Sequence, residues 1–597
     1  MRNFKYLSLA LAALALGACT SDDVVDNGSD GGNMFNSDGT GYINLSINLP
    51  TQSGNTGTRA NDVTDDGYAN EYEVKDATLI LFSGENESTA TFAAAYDMDL
   101  SMNTDADGDQ ITSQATKVQK INSISGNGKV YALVVLNKNN VLSLEGTGLK
   151  INNQSFTGTL KDFTKNTVSS ENSFTQNGFF MTNAVITDKP GSAAISGQTT
   201  TILTEVTDKI HKSEEDARKD PGAEIFVERA VAKVELTEGS GLSSDKISVK
   251  TNGTASESEV GYEISGWTLA NKNNSSFLVR NWNQSVSGDI TPSGDAWYAL
   301  TSTGDGLSSA ALTSNPYRFA GYEEIKEDVN NPSVNRYRTY FGIDPNYDVD
   351  DPNFSDAPAA GTGMTFDEAV KYCLENTFDI EHQNVRNTTC AIVKAKIDLP
   401  EEWGSTNFYV INGDKSTIYN LENAKKAILA LVNEEYPESD GYSATDVTYT
   451  VDSETKNFKF TEVKYTKDSE DPKTMLAENL QKLQAAMTVT EYTNAESYYT
   501  VLIKHFGDDL TPWNEANKTD NPYPDDDKKA DNNWLGRYGV LRNNWYEIEV
   551  TGIKGIGSAT VPDVNDDPTP DDNVEKYISV KINMLSWAKR KQSVTLE

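Results

Sequence analysis

The chain is poor in the residues that build metal centres and Cys/His active sites. Among its 597 residues there are three cysteines and three histidines, and the histidines lie far apart at His211, His382 and His505. Neither count supports a zinc site or a Cys/His enzyme. No nucleophile motif or phosphate-binding loop accompanies the abundant acidic residues. We therefore expect no cofactor and no catalytic activity.

Positive charge is also scarce. Lysine and arginine number 51 against 89 aspartates and glutamates, which gives a formal net charge of −38. Such a surface repels nucleic acid and anionic lipid, so neither is expected as a partner. Acidic runs such as Asp525–Asp527 lack the spacing of an EF-hand loop, and we interpret them as solvated surface.

Long apolar runs are missing except at the start of the chain. Arg2 and Lys5 precede the apolar run Tyr6–Leu16, and small residues then lead into Cys19. This order is typical of a secretion signal, and a cysteine directly after the small residues matches the bacterial lipobox. We expect Cys19 to become the acylated first residue; the alternative is a plain signal peptide with an incidental cysteine. No later run approaches the roughly 20 residues of a membrane-spanning helix, so the rest is expected outside the cytoplasm.

What the chain does contain is strand patterns separated by Gly, Asn and Ser loops. Tyr42–Leu49 alternates apolar and polar residues, Lys129–Leu136 is a short apolar run, and Glu224–Leu236 alternates again. Helical spacing is confined to three later segments, Thr365–Glu375, Leu421–Val432 and Met475–Met487. The apolar stripe of the last segment consists of Leu476, Leu480, Leu483 and Met487. These patterns predict a mainly β chain of sandwich type with a few helices in its second half. We place a domain boundary directly after residue 238.

The loop after the first strand contains a candidate cleavage site. Residues 51–70 are rich in turn formers, and Arg59 lies in the middle of them, followed by Ala60. An arginine in an exposed polar loop is a good substrate for a trypsin-like protease, although most exposed arginines are only solvated surface. A cut between Arg59 and Ala60 would release the lipid anchor and the strand Tyr42–Leu49 together.

The last 25 residues form a strand on a tether. In the segment 573–597, Ile578, Val580, Ile582 and Met584 alternate with polar residues, which predicts a half-buried strand. The acidic, proline-containing stretch Asp563–Asn573 precedes it and is expected to be extended. Such a strand either folds back onto its own sheet or pairs with another molecule, and the segment alone leaves both readings open.

Two cysteines remain in the body of the chain. Cys373 lies in the predicted helix Thr365–Glu375, and Cys390 lies in the predicted strand Thr389–Ile397. In an oxidising compartment they could form a disulfide. Two buried thiols are an equally good interpretation of the sequence.

The stretch Trp534–Gly557 resembles the C-terminal signature of the fimbrillins, the type V pilins of Bacteroides-type bacteria. The resemblance rests on GRYGV at 536–540 and RNNWY at 542–546, and it is nearest to the major subunit of the short fimbriae. The residues of RNNWY also predict a turn in which Asn543 and Asn544 can take left-handed geometry, followed by a strand that starts at Trp545. The lipobox, the arginine loop, NGFFMTNA, FVERAVAKVEL and VKINMLSW agree in order. The segment Ser21-Asp22-Asp23 also resembles the acidic signal that sends lipoproteins to the outer face of the outer membrane.

The resemblance implies a fold and an assembly mechanism. It implies two transthyretin-like β-sandwich domains, at 60–238 and 239–572, after a signal peptide at 1–18 and a propeptide at 19–59. An Arg-specific protease would cut after Arg59, and the donor strands at 573–597 of a neighbouring subunit would fill the vacated groove. The implied partners are further copies of the chain, accessory tip and anchor pilins, and host or bacterial surface receptors.

The function implied is that of a fimbrial stalk subunit at the cell outer membrane, supporting adhesion and biofilm. An accessory tip or anchor subunit is an alternative within the family, and Arg59 together with the intact terminal strands favours the stalk. A surface glycan-binding lipoprotein is an alternative outside it. For that function, exposed aromatic residues would form a sugar platform, although burial in a core or an interface is the more frequent fate of tryptophan. The candidates are Trp267, Trp282, Trp297, Trp513 and Trp534.

Overall fold

The computed structural model describes most of the chain, in segments. They are residues 34–50, 68–87, 89–100, 103–104, 111–124, 128–187, 200–242, 245–281, 320–326, 336–339, 342–347, 349–355, 364–365, 370–378, 382–505, 538–569, 578–585 and 590–591. The predicted sites Cys19, Arg59 and Ala60 lie outside these residues.

Strands dominate these segments, and five α-helices accompany them. The strands are β1 Thr40–Pro50, β2 Ala77–Gly84, β3 Thr91–Met98, β4 Asn103–Thr104, β5 Ile111–Asn122, β6 Lys129–Leu136, β7 Leu142–Glu145, β8 Gly148–Ile151, β9 Gln154–Phe156, β10 Thr167–Val168, β11 Met181–Asn183, β12 Ile186–Thr187, β13 Thr200–Thr201, β14 Thr204–Glu205, β15 Ile210–His211, β16 Ala223–Arg229, β17 Ala232–Glu238, β18 Ile247–Thr251, β19 Glu257–Val260, β20 Tyr262–Ala270, β21 Ser276–Phe277, β22 Ala320–Lys326, β23 Arg336–Thr339, β24 Val370–Cys373, β25 Cys390–Ile397, β26 Phe408–Ile411, β27 Thr417–Ile418, β28 Ser443–Val451, β29 Phe458–Thr466, β30 Lys473–Thr474, β31 Val489–Tyr492, β32 Glu496–Leu502, β33 Trp545–Ile553, β34 Ile578–Leu585 and β35 Arg590–Lys591. The helices are α1 Leu160–Thr164, α2 Asn172–Thr175, α3 Glu214–Lys219, α4 Leu421–Glu435 and α5 Ala477–Ala486.

The largest sheet contains the first strand of the chain. Its order is β3-β2-β6-β11-β16-β1-β5-β4, with β14 paired to β6 and β15 paired to β1. Apolar side chains of these strands pack with Phe163, Phe174 and Phe180 into one core. The alternation in β1 and the apolar run in β6 were the sequence signals for this sheet, and both predictions are confirmed.

A second sheet and core begin where the predicted strand Glu224–Leu236 breaks. That prediction of a single strand is wrong, because Ala230 and Val231 form a bend between β16 and β17. β16 belongs to the large sheet, whereas β17 belongs to a sheet of order β24-β17-β33-β34-β35. Apolar residues of β17, β20, β25 and β33 form the second core. The division of the chain at residue 238 stays a prediction.

A third, smaller core lies in an α/β unit at residues 408–492. Here α4 and α5 pack on the sheet β28-β29-β30 and on β26 and β31. Both helices were predicted, but one detail is wrong: Leu476, expected on the apolar stripe of α5, precedes the helix and is 62% exposed. The residue does not reach the core because the helix begins only at Ala477, one residue later.

The predicted helix Thr365–Glu375 is also wrong. Val370–Cys373 forms the edge strand β24, which pairs with β17 in the antiparallel sense. The spacing of its apolar residues suits a helix, but backbone pairing with the edge of β17 stabilises a strand instead.

The mainly β architecture with sandwich-type cores and few helices is confirmed. No helix in the segments described above is long and apolar enough to cross a membrane.

Candidate assembly site

The first strand lies in the interior of the large sheet. β1 pairs along its length with β5 in the antiparallel sense, and on its other side with β16 in the parallel sense. The register places Ser46 between Thr116 of β5 and Glu224 of β16. Removal of β1 would therefore open two strand edges at once, leaving a slot within the sheet instead of a shortened sheet.

One face of β1 supplies apolar anchors to the first core. Ile43, Leu45 and Ile47 each have 0% relative exposure. The alternation of the sequence produces this face directly, because successive side chains of a strand point to opposite sides. Each fully buried aliphatic side chain contributes roughly 1.5–3 kcal/mol. The site of β1 is therefore a deep apolar slot with three consecutive pockets.

The opposite face of β1 is covered as well, by the segment 209–222. Asn44 is buried and donates from Nδ2 to the carbonyl oxygen of Asp220 at 3.0 Å. A Cβ on Gly222 would lie 3.0 Å from the backbone nitrogen of Ser46, so the two backbones are in close contact. β15 pairs with β1 in the plane of the sheet, with Tyr42 opposite His211, and α3 of the same segment packs on β1. The slot is thus closed on both faces.

Asp220 holds this covering segment together. Its carboxylate lies 2.9 Å from Nε2 of His211 and 3.1 Å from Nζ of Lys209. Burial alone would raise the pKa of Asp220, but the hydrogen bonds from His211 and Lys209 outweigh it and hold that pKa below its usual value. The carboxylate is therefore ionised at neutral pH and fixes the start of β16 against β1.

The chain is anchored again soon after the predicted cut. Glu71, in a short 3₁₀ turn at Ala69–Glu71, is fully buried, and its Oε1 lies 2.9 Å from Nζ of the equally buried Lys233. Tyr372 donates its hydroxyl to the same carboxylate. Burial, followed by the bond to Glu71, raises the pKa of Tyr372, so it remains a donor. Residues directly after Ala60 thus lead into a fixed point of the fold.

The RNNWY segment at 542–546 joins the two cores. Arg542 donates to the carbonyl oxygens of Phe277 and Leu278 at 2.9 and 3.3 Å. Asn543 has φ 59°, the left-handed turn geometry predicted for it, and its Oδ1 accepts from the backbone of Arg229 at 3.2 Å. Trp545 begins β33 and its ring lies 3.5 Å from Nζ of Lys233. The motif therefore has a structural role at the junction.

The terminal strand is a resident of the second sheet in this structure. β34, which contains Ile578, Val580, Ile582 and Met584, pairs antiparallel with β33 on one side. On its other side β34 contacts β35, a strand of two residues. In this uncut chain, where β1 is in place, the terminal strand therefore folds back onto its own sheet. Pairing of this strand with another molecule stays a prediction, since it requires a cut subunit and a neighbour.

Cys373 and Cys390 are free buried thiols. They lie in different sheets, since Cys373 ends β24 beside β17 and Cys390 begins β25 between β20 and β32. Burial raises the pKa of both thiols to about 12, which keeps them protonated. The alternative of two buried thiols is the one found here.

One member of the proposed sugar-binding platform is excluded by its burial. Trp267 has 0% exposure and packs in the second core, so it offers no surface to a ligand. The other four candidates, Trp282, Trp297, Trp513 and Trp534, lie outside the described residues.

The burial of Lys233 and its pairing with Glu71 were not predicted from the sequence, because local alternation places Lys233 on the polar face of a strand.

Comparison with known proteins gives one family match. Residues 490–593 match the family described as major fimbrial subunit protein type IV, fimbrillin, C-terminal. This stretch begins with β31 and includes RNNWY, β33 and β34. A search of curated proteins found no match.

Three solved structures align with the chain at low similarity. A candidate cell adhesion protein from Parabacteroides distasonis has 11% identity, covering 93% of this chain and 98% of its own, with a TM-score of 0.34. A fimbrial assembly protein from the same species has 12% identity, covering 59% and 81%, with a TM-score of 0.25. The tip fimbrial protein Mfa3 from Porphyromonas gingivalis, truncated at its C-terminus, has 11% identity, covering 92% and 100%, with a TM-score of 0.26.

The C-terminal match contains the motif that carried the resemblance in the sequence. The resemblance to the fimbrillins is thus confirmed for residues 490–593, which match the model of the fimbrillin C-terminal segment.

Proposed function

We propose that this chain is the structural subunit of a surface fimbria that polymerises by strand exchange. In this proposal the chain is exported as a lipoprotein precursor, acylated at Cys19, and cut between Arg59 and Ala60 at the cell surface. The observation that carries the proposal is the interior position of β1, paired on both sides and buried on both faces. A cut at Arg59 lies between this strand and the anchor at Glu71, so it separates β1 from the remaining fold.

Loss of β1 leaves a site that another strand could fill. The vacated slot exposes the edges of β5 and β16 and the pockets of Ile43, Leu45 and Ile47. A strand with apolar residues at alternate positions would fit this site, because its backbone would pair with β5 and β16 and its apolar side chains would fill the pockets. The terminal strand, with Ile578, Val580, Ile582 and Met584, has this pattern within the family-matched segment.

Donation by the terminal strand is expected to produce a fibre. The slot and the donor are different surfaces of the subunit, so each contact is head to tail, and such contacts generate a filament unless they close. Among the described residues, β34 pairs with β33 on one side and with the two residues of β35 on the other, a position near the sheet edge that favours its release. The function is structural and non-enzymatic, at the outer membrane, with copies of the chain and accessory pilins as partners.

Electron microscopy of cells that express the chain tests this function. Cells with the full chain should carry fibres, and cells with a chain that lacks residues 573–597 should carry none, although the shortened subunit is exported and cut normally. Fibres of normal number and length from the shortened chain would overturn the proposal. Export and cutting are followed in parallel by the mass of the surface protein, so a folding failure is recognised.

A further inference from the structure

The terminal strand repeats the sequence of the strand whose site it would enter. Tyr42–Leu49 reads YINLSINL, and Tyr577–Met584 reads YISVKINM. Four of the eight positions are identical, namely Tyr42 with Tyr577, Ile43 with Ile578, Ile47 with Ile582 and Asn48 with Asn583. Simple alternation requires apolar residues at every second position, but it does not require the same tyrosine and asparagine. The repeat therefore carries information beyond amphipathic character.

The site of β1 explains why a repeat is needed. On the core side of β1, Ile43, Leu45 and Ile47 are fully buried. The repeat gives each of these positions an aliphatic counterpart in the terminal strand, namely Ile578, Val580 and Ile582 in the same order. On the covered side, the buried Asn44 corresponds to Ser579, which is also small and polar. A slip of one residue would turn the polar face into the core.

Slips of two residues keep the alternation but fail elsewhere. A slip in one direction places Lys576 at the position of Ile43, which has 0% exposure, and an unpaired charge is not tolerated there. A slip in the other direction places Lys581 at the position of Asn44, which is covered by Asp220. The aligned register avoids both placements.

The one non-conservative difference in the repeat is Ser46 against Lys581. Ser46 is opposite Glu224 on β16, in the parallel pairing, and opposite Thr116 on β5. A lysine at this position would thus lie beside a carboxylate, and opposite charges on directly opposed residues favour a pairing. Ser46 itself is only 9% exposed, so the lysine side chain would have to leave this position along Glu224, which is partly exposed.

We propose that Tyr577–Met584 of one subunit replaces Tyr42–Leu49 of the next position by position, with Lys581 beside Glu224 as the residue that selects this register and favours the incoming strand over β1. This inference rests on the proposed function, since it specifies how the donor is recognised. It identifies the partner of the slot as a second copy of this chain. A strand of the same hydrophobicity but another polar sequence is expected to be a poorer donor.

Cross-linking within fibres maps the register. Three double variants are made, Val118→Cys with Ser579→Cys, Thr116→Cys with Ser579→Cys and Thr116→Cys with Asn583→Cys, and assembled fibres are treated with a short thiol-to-thiol cross-linker. All three keep Lys581, and the native Cys373 and Cys390 are buried, so labelling is directed to the new pairs. Val118 is opposite Asn44 in the precursor, so the pair 118/579 should give a ladder of linked subunits on a denaturing gel, at least several-fold stronger than the other two pairs.

The outcomes separate the register from the function. A dominant ladder from 116/579 or 116/583 would overturn the register and leave strand exchange intact. Fibres without a ladder from any of the three pairs would overturn both.

A charge exchange tests the selecting role of Lys581 independently. Lys581→Glu and Glu224→Lys should each slow assembly of the cut subunit several-fold, and the double variant should assemble at close to the original rate. Thermal unfolding of the uncut precursors shows whether Glu224→Lys harms the fold itself. A double variant that assembles no faster than either single variant would refute the pairing.

Discussion

Glu71 and Lys233 form a buried ion pair that fastens the segment after the predicted cut to the junction of the two cores. Their side chains have 0% exposure, and Nζ lies 2.9 Å from Oε1. Lys233→Met should lower the free energy of unfolding by about 3–5 kcal/mol, because it leaves the Glu71 carboxylate buried without its cation. Chemical denaturation measures this loss.

The matched control for this prediction is an exposed pair. Lys426→Met removes the partner of Glu422 on the surface of α4, and no measurable change in stability is expected. The double variant Glu71→Gln with Lys233→Met should recover part of the loss, because no uncompensated charge then remains. A loss unchanged in the double variant would mean that the packing of Lys233 on Trp545, not its charge, is what matters.

Arg59→Ala should block maturation. The variant is expected to accumulate as a stable, uncut monomer, because β1 keeps its site in the sheet and no slot opens. Amino-terminal sequencing of fibres from the unchanged chain should begin at Ala60. Arg218→Ala, which alters another exposed arginine, serves as the control and should leave cutting and fibres unaffected. Fibres built from uncut Arg59→Ala subunits would contradict this.

Cys19→Ser should prevent acylation. Metabolic labelling with a fatty acid should mark the unchanged precursor and not the variant, because the lipobox cysteine is the only attachment point expected. Without the anchor the precursor does not reach the surface in the orientation that assembly needs, so surface fibres should be lost. Cys390→Ala, at a buried thiol, should keep the lipid. A labelled Cys19→Ser protein would exclude the lipobox interpretation.

Ile582→Asp should abolish polymerisation without preventing export or cutting. It brings a carboxylate into the pocket that Ile47 occupies in the precursor, where burial of an unpaired charge costs several kcal/mol, comparable to the contribution of two aliphatic anchors. Ile582→Val, the conservative control, should assemble almost normally. Sedimentation of cut protein distinguishes monomer from fibre. Ile582 is opposite Ile548 in its own sheet, so the stability of the precursor is measured alongside.

Glu87 should make stability depend on pH. Burial raises the pKa of Glu87 from 4.5 to about 7, although its carboxylate accepts bonds from the backbone of Ile202 and Leu203. Between these pH values the folded chain holds a proton that the unfolded chain has lost, so the free energy of unfolding falls as the pH rises. Glu87→Gln keeps the acceptor oxygen and removes the titration.

The measurement is the difference in unfolding free energy between Glu87→Gln and the unchanged chain. It should grow in favour of the variant from pH 4.5 to about pH 7 and stay constant above. Asp344, a buried carboxyl whose pKa is also raised to about 7, is present in both proteins and cancels in the comparison. A difference that does not change with pH would show that Glu87 titrates alike in both states.

The sequence predicted the elements whose side chains follow a simple period. β1 and α4 were found because alternation or helical spacing maps directly onto one buried face. The aromatic strand start at Trp545 and the left-handed turn at Asn543 were predicted for the same local reason. The C-terminal motif was sufficient to predict the similarity of residues 490–593 to the fimbrillin C-terminal segment.

The features that could not be predicted from the sequence depend on contacts with residues that are distant along the chain. Lys233 lies on the nominally polar face of its strand, and only the approach of Glu71, 162 residues earlier, allows its burial. Val370–Cys373 became a strand because β17 offered an edge. The bend at Ala230–Val231 arises because the chain passes there from one sheet to the other. The covering of β1 by the segment around Asp220 and Gly222 has no signal in either sequence segment alone.

The interior position of β1 has a mechanical consequence for a fibre built as proposed. A strand that takes the place of β1 is bonded to β5 on one side and to β16 on the other. Where tension acts along that strand, both ladders are loaded in shear and their hydrogen bonds must break together. A strand bonded at a sheet edge could instead be peeled away one bond at a time. Stretching of single fibres should therefore meet high rupture forces at the joints between subunits.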